Sequence, residues 1–305
     1  MKLSRSNLCG AWSASPTPFN KNLGIDTNAV EKMIQHHIHL NQKGVFIGGT
    51  CGEGPWMPQK DLRELTTTAT KANQGGMMIA VQVTDNSSLK VLNNIKNAKA
   101  DGADIAVVAE PWFAGPMSNV FEKYYLPIVE NSTLPVGIYN RLPNLLSPRD
   151  LAKVYDHPNV KLVKDSTVND VVKKIALAAA KKRPELLLLT GYELNMAPYL
   201  KDGYHGVLAG GGILIGYLAS KMVAEAAHGN FEHLSKLQKA CDKINYTVYG
   251  GKKIKSWLTG LKYALVQMGI FRTTRGYLEY PLPQSVQKRI DKMIKEYKTV
   301  LLPGK

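Results

Sequence analysis

Short β-rich apolar runs and longer amphipathic stretches alternate along this chain. Eight runs have the length and composition of buried strands: CGAWSAS from Cys9, VFIGG from Val45, MMIAVQV from Met77, DIAVVAE from Asp104, PVGIYN from Pro135, VKLVKD from Val160, LLLLTG from Leu186 and HGVLAGG from His205. Between them lie helical patterns. Residues 27–40 place Val30, Met33, Ile34 and Ile38 on one face, with Asp26 and Thr27 available as caps. Residues 86–100, 118–130, 147–155 and 167–180 continue the rhythm. Strands that alternate with helices imply parallel β/α units. Eight such units in roughly 225 residues predict a (β/α)8 TIM barrel, which typically takes about 250. After His228-Gly229-Asn230 the strand signals stop, and residues 231–246, 253–268 and 284–297 read as helices. The expected organisation is a catalytic barrel over residues 1–228 and a C-terminal helical extension over 229–305, packed on it.

Composition changes this picture little. Of 305 residues, 44% are apolar and 21% charged, which permits a sizeable core. The net charge of +15 raises the question of nucleic acid or an anionic membrane. Its lysines, however, are scattered at helical spacings among apolar partners, as at Lys173 and Lys174, Lys181 and Lys182, or Lys252, Lys253 and Lys255. They read as solvated helix faces, and no basic-aromatic module for RNA or DNA is present. No apolar run approaches the ~20 residues needed to span a bilayer, and the first residues are too polar for a signal peptide. A cytoplasmic protein is expected. Cys9, Cys51 and Cys241 form no zinc-type spacing and no disulfide framework, and read as free thiols.

In such a barrel, chemistry sits at the C-terminal ends of the strands. Lys164 ends VKLVK and shares a strand face with Val160 and Leu162. A surface lysine at a strand end is common. This one shares its face with two apolar residues, and the Asp165-Ser166-Thr167 turn after it looks like a βα loop. Desolvation in a barrel mouth disfavours an ammonium and frees a nucleophilic amine. Tyr139 ends the preceding strand, where a phenol can shuttle protons; alone, a tyrosine at a strand end is more often a core or rim residue. The loop Gly48-Gly49-Thr50-Cys51-Gly52-Glu53-Gly54 brings backbone N–H groups toward an anion such as a carboxylate, although a glycine-rich turn can be purely structural. It lacks the Gly-Lys-Ser/Thr of a P-loop. Gly191-Tyr192-Glu193 offers a carboxylate that suits either a substrate hydroxyl or the start of a helix.

These pieces occur together in a characteristic order: TPF from Thr17, GGTCGE from Gly48, Tyr139-Asn140, VKDST from Val163, and Gly191-Tyr192-Glu193 with Gly206-Val207 after it. Over nearly its whole length the chain resembles the dihydrodipicolinate synthase and N-acetylneuraminate lyase family of class I aldolases. The resemblance implies a barrel assembled as a homo-oligomer, a tetramer or dimer, with no metal and no cofactor beyond a covalent imine. It matches Lys164 to the Schiff-base lysine and Tyr139 to the proton-relay tyrosine. Thr50 and Cys51 match the pair that holds the keto-acid carboxylate, and Leu208 a position whose carbonyl lies near the lysine. Gly191 belongs to the same substrate-binding constellation. Glu193 aligns with an acid that binds substrate hydroxyls in sugar-acid lyases.

Three departures narrow the function. Cys51 replaces a hydroxyl residue with a weaker donor. Phe113 stands where dihydrodipicolinate synthases carry a relay tyrosine from the neighbouring subunit, and a phenyl ring relays no proton. Asn144 stands where lysine-pathway members bind the aldehyde partner's carboxylate with arginine, and Arg141 lies elsewhere on that loop. The expected activity is therefore a lyase, aldolase or dehydratase, acting on pyruvate or a hydroxylated 3-deoxy-2-oxo acid. The alternatives are 4-hydroxy-tetrahydrodipicolinate synthase, which condenses pyruvate with aspartate semialdehyde, and a 2-oxo-acid-binding barrel that has lost turnover.

Overall fold

The computed structural model describes residues 8–113 and 119–303. Its eight parallel strands close into a barrel in chain order: β1 Gly10–Ala14, β2 Gly44–Ile47, β3 Met78–Gln82, β4 Ile105–Ala109, β5 Val136–Asn140, β6 Val160–Asp165, β7 Leu187–Thr190 and β8 Gly206–Ala209. Each coincides with an apolar run read from the sequence, β2 starting one residue earlier at Gly44. These runs are continuous because helices cover the outside while side chains fill the inside, so both faces are buried. Among the described residues, Lys161 is the only strand residue above the buried range.

The outer ring consists of α1 Thr27–His39, α2 Gln59–Asn73, α3 Ser88–Ala100, α4 Leu126–Asn131, α5 Pro148–Asp156, α6 Asp170–Lys182, α7 Met196–Lys201 and α8 Gly212–Ala227. A π-helical turn, Phe121–Tyr125, leads into α4; Ser118, where the pattern predicts that helix to start, lies outside the described residues. Side-chain caps fix where several helices begin. Asp26 accepts from Ala29 N (3.2 Å), Ser147 from Asp150 N (3.1 Å), and Asn169 from Val171 N and Val172 N. The cap at Asn169 starts α6 at Asp170 rather than at Thr167, because Thr167 is used in the loop, where its N–H and hydroxyl both bind Asp165 Oδ1.

Helix α2 is absent from the sequence reading. Its Thr66-Thr67-Thr68 run has weak helix propensity, and only Leu62, Leu65 and Ala69 mark its buried apolar stripe. Beyond the barrel come α9 Phe231–Val248, α10 Trp257–Gln267, α11 Gln284–Glu296 and α12 Lys298–Leu301. Of these, α9 and α10 reach the site, through Tyr249 and Lys262, which the picture of an extension merely packed on the barrel did not foresee. Among the described residues, no helix is long and apolar enough to cross a membrane.

Strand registers stack the barrel interior in layers drawn from alternate strands. Phe46, Val107, Lys164 and Leu208 form one layer, and Ala14, Gln82, Tyr139 and Gly191 the next one toward the mouth. Trp12 fills the base of the barrel, fully buried, with Nε1 donating to Leu8 O at 3.0 Å. The lower interior is thus packed solid, and polar interior groups gather at the mouth.

Candidate active site

Lys164 projects inward from β6, as the alternation of Val160, Leu162 and Lys164 predicts, and is 5% exposed. Its Nζ lies 4.1 Å from the Tyr139 ring centroid and 5.4 Å from that of Phe46. Phe46 meets Tyr139 edge-on, with ring centroids 6.1 Å apart. Tyr139 is the register partner of Lys164 across β5 and β6, so adjacent strands deliver the amine and the phenol side by side. Among the described residues no carboxylate forms an ion pair with Lys164. Its contacts are aromatic faces, which tolerate a cation and also leave the amine unencumbered.

Gly191 lies just after β7, beside this pair. A Cβ there would collide with Ser166 Oγ and stand 2.8 Å from Lys164 Cε. The absence of a side chain at Gly191 is what lets Lys164 occupy its position. Leu208 lies in the same layer as Lys164 and is fully buried.

The loop after β2 folds back on itself. Gly54 N donates to Gly49 O (3.2 Å), and Glu53 N to Thr50 O (3.2 Å). Gly54 packs so closely on the Gly48 carbonyl that any side chain would overlap it. Among the described residues, no hydrogen bond uses the N–H of Thr50 or Cys51. The Thr50 hydroxyl is likewise buried without a partner. Unpaired donors in a tight loop form a concavity suited to an anion. Cys51 Sγ donates to Gly210 O at 3.7 Å. Burial, and secondarily Glu193, push this thiol far above the ordinary range, so it stays neutral and does not repel an incoming carboxylate.

A buried ion pair anchors the loop. Glu53, in a left-handed conformation at φ 57°, pairs with Lys262 of α10; both side chains are essentially inaccessible. Glu53 Oε2 also accepts from Leu278 N (2.9 Å), while Lys262 donates to Arg275 O (2.8 Å) and sits 4.7 Å from the Phe19 ring centroid. Burial lowers the proton affinity of Lys262, and Glu53 opposes that shift. A second tie runs through Glu193. One carboxylate oxygen accepts from Gly211 N and the other from Tyr249 OH, each at 2.6 Å. Burial raises the Glu193 carboxyl, and these two donors hold it back. Glu193 therefore serves the start of α8, an interpretation left open by the sequence, while remaining close enough to Lys164 and Cys51 to interact with their charge states.

On the opposite rim, Glu110 at the end of β4 accepts from Arg141 N (2.6 Å), Arg141 Nε (3.0 Å) and Leu142 N (2.8 Å). The Arg141 guanidinium lies 5.2 Å from the Trp112 centroid and 5.8 Å from that of Tyr139. Asn144 is exposed on the same loop, in a groove with Pro143, Asn169 and Val171, and makes no contact that joins it to Lys164. Phe113 is 73% exposed, its N–H bound to Asn86 Oδ1. The structure thus brings Lys164, Tyr139, Gly191 and Leu208 together, with the Thr50–Cys51 loop and Glu193 beside them. Asn144 stays at the rim. Among the described residues no cysteine takes part in a disulfide. Among the described residues, no group of three or more His, Cys, Asp or Glu side chains is arranged to hold a metal ion.

The sequence reading missed Lys262 and Tyr249, whose partners lie far away along the chain, and Gln82, whose inward direction comes only from barrel register.

Residues 7–297 match the model of the dihydrodipicolinate synthetase family. The chain belongs to this family. A 4-hydroxy-tetrahydrodipicolinate synthase of Chlorobium luteolum is 24% identical over 295 residues, which cover 95% of this chain and 97% of that protein. The dihydrodipicolinate synthase structure from Bacteroides thetaiotaomicron superposes with a TM-score of 0.84 at 25% identity, covering 95% and 98% of the two chains. An Acinetobacter baumannii dihydrodipicolinate synthase complexed with pyruvate gives 0.82 at 20% identity, over 95% and 99%, and supports the fold.

Proposed function

We propose that this protein is a Schiff-base-dependent lyase that acts on pyruvate or a hydroxylated 3-deoxy-2-oxo acid through an imine on Lys164. One observation carries the proposal: a buried lysine with no carboxylate ion-pair partner among the described residues, 4.1 Å from the ring of a register-paired tyrosine. Family membership makes the chain an aldolase-type enzyme, and its relatives' names supply the condensation chemistry.

The substrate carboxylate docks on the free N–H groups of Thr50 and Cys51 and on the Thr50 hydroxyl. The amine of Lys164 attacks C2; the carbonyl oxygen takes up the two protons that the nitrogen gives up and leaves as water, giving the imine. Once protonated, the imine accepts the electron pair of the C3–C4 bond as the C4 hydroxyl loses its proton and an aldehyde departs. For dehydration, a C3 proton is removed and C4 loses hydroxide instead. Tyr139 carries protons to and from the reacting atoms. Leu208 and Phe46 keep the floor of the site apolar.

Treatment with borohydride in the presence of pyruvate, then mass spectrometry, tests this. A reduced pyruvyl adduct on Lys164 is expected. No adduct, or an adduct confined to another lysine, would overturn the assignment.

The second reading, 4-hydroxy-tetrahydrodipicolinate synthase, is favoured by the names of the curated relatives. Against it stand the replacements at Phe113 and Asn144, which remove a relay phenol and a carboxylate-binding cation. A coupled assay with pyruvate and aspartate semialdehyde separates the two: sustained turnover of this pair would establish the synthase.

A further inference from the structure

Gln82 ends β3 and faces into the barrel. It pairs in register with Val107, itself an inward position, and it shares a layer with Tyr139 directly above the layer of Lys164. Gln82 Cβ lies 3.7 Å from where a Cβ on Gly48 would stand, which places it against the base of the Thr50–Cys51 loop. It is 3% exposed, yet among the described residues neither Nε2 nor Oε1 has a hydrogen-bond partner.

An unmet buried amide is costly, because each donor or acceptor has lost its water and gained nothing in exchange. Nearly all buried polar atoms in folded proteins are paired, so such a pair of exceptions needs an occupant. The contrast with Glu193 is informative. Both oxygens of Glu193 already accept protein hydrogen bonds, so the carboxylate assigned by resemblance to substrate hydroxyls is largely committed to Gly211 and Tyr249. The Gln82 amide is uncommitted and stands at the level of the proton-relay phenol.

We propose that Gln82 binds a hydroxyl on the substrate tail beyond C3 and thereby selects hydroxylated 2-oxo acids over their deoxy analogues. A carboxamide offers a donor and an acceptor in one plane. A hydroxyl satisfies both, accepting from Nε2 and donating to Oε1. A carbonyl oxygen satisfies only Nε2, and a methylene neither. A site built to bind a hydroxyl disfavours the analogue that lacks it, because the buried polar groups are then left unpaired. The role of Gln82 rests on the imine at Lys164 and concerns recognition of the substrate atoms beyond C3.

The test is competition against trapping of isotopically labelled pyruvate by borohydride, with 2-oxopentanoate and 4-hydroxy-2-oxopentanoate as competitors, in the wild type and in Gln82→Met. In the wild type the hydroxy acid should halve trapping at a concentration about 10-fold or more below that of its deoxy analogue. In Gln82→Met the two should come within about twofold, while pyruvate trapping persists and the thermal midpoint holds or rises, because an unmet amide has been removed. A wild type without this preference, or a Met variant that keeps it, overturns the role of Gln82 and leaves the imine standing. Loss of thermal stability with equal weakening of both competitors also overturns it, by showing a purely structural glutamine. Absence of any adduct in the wild type overturns the imine and the role of Gln82 together.

Discussion

The two rims of the barrel mouth are built on different principles. On the β1, β2 and β8 side, the Thr50–Cys51 loop and Glu193 are tied by buried bonds to α9 and α10, through Glu53 with Lys262 and Glu193 with Tyr249. On the β4 and β5 side, Glu110 and Arg141 hold the loop base, while Phe113 and Leu142 are 73% and 50% exposed. In the proposed reaction the locked rim faces the carboxylate common to all 2-oxo acids, and the open rim faces the end that varies among them. Rigid support suits a group that must be held for every turnover, whereas exposed loops change at little energetic cost.

The difference between the rims is open to direct attack. Lys164→Ala removes the proposed nucleophile between them and should lower turnover by a factor on the order of 10⁴ or more while the fold persists; steady-state kinetics with circular dichroism check both halves. Breaking the locked rim comes next. Lys262→Met leaves Glu53 as an uncompensated buried charge and should cost about 3–5 kcal/mol in denaturant unfolding, and adding Glu53→Gln should recover a large part of it. If the single variant costs nothing, the ion pair does not lock the rim. Gly191→Ala should slow pyruvate trapping by roughly 10- to 100-fold, since the new methyl displaces Ser166 or Lys164, and a 1 Å misplacement costs about this much.

A smaller effect arises beneath the locked rim. His37 is fully buried on α1, 2.5 Å from Ser15 Oγ, and burial, with a lesser push from the neighbouring His36, depresses its proton affinity well below the usual 6.5. The unfolded chain takes up a proton near pH 6.5, whereas the native chain does so only at lower pH. The contribution to stability is thus full above about pH 6.5 and declines as pH falls toward the native value, by at most about 1.4 kcal/mol per pH unit. Unfolding midpoints measured from pH 7 to 5 should show this slope, and His37→Gln should flatten it. Least of all, Asn144→Ala on the open rim should change stability by no more than about 0.5 kcal/mol and leave pyruvate trapping intact. A large loss there would erase the distinction between the rims.

The barrel was legible in the sequence because each strand is buried on both faces and reads as an unbroken apolar run. Lys164 was legible for a related reason: a charged residue in phase with Val160 and Leu162 has to point where they point. Helix α2 escaped because three consecutive threonines dilute a narrow stripe that only tertiary packing makes sufficient. Lys262 and Tyr249 escaped for a stronger reason. Each is an ordinary residue in or beside an amphipathic helix, and nothing local announces that it closes a site built from residues near positions 50 and 190. Gln82 looks like any polar residue ending a strand until the registers place it beside Tyr139.

The ion pair between Glu53 and Lys262 spans 209 positions of the chain. Synthesis proceeds from the N-terminus, and domains form as their residues emerge. Every strand of the barrel, with Lys164 and Tyr139 among them, leaves the ribosome before Lys262 does. A nascent barrel thus holds Lys164 while the Thr50–Cys51 loop still lacks the cation that fixes it. On the proposed mechanism competence arrives late, with the last helices, and a chain cut short before α10 carries Lys164 without the ion pair that anchors the loop assigned to the substrate carboxylate.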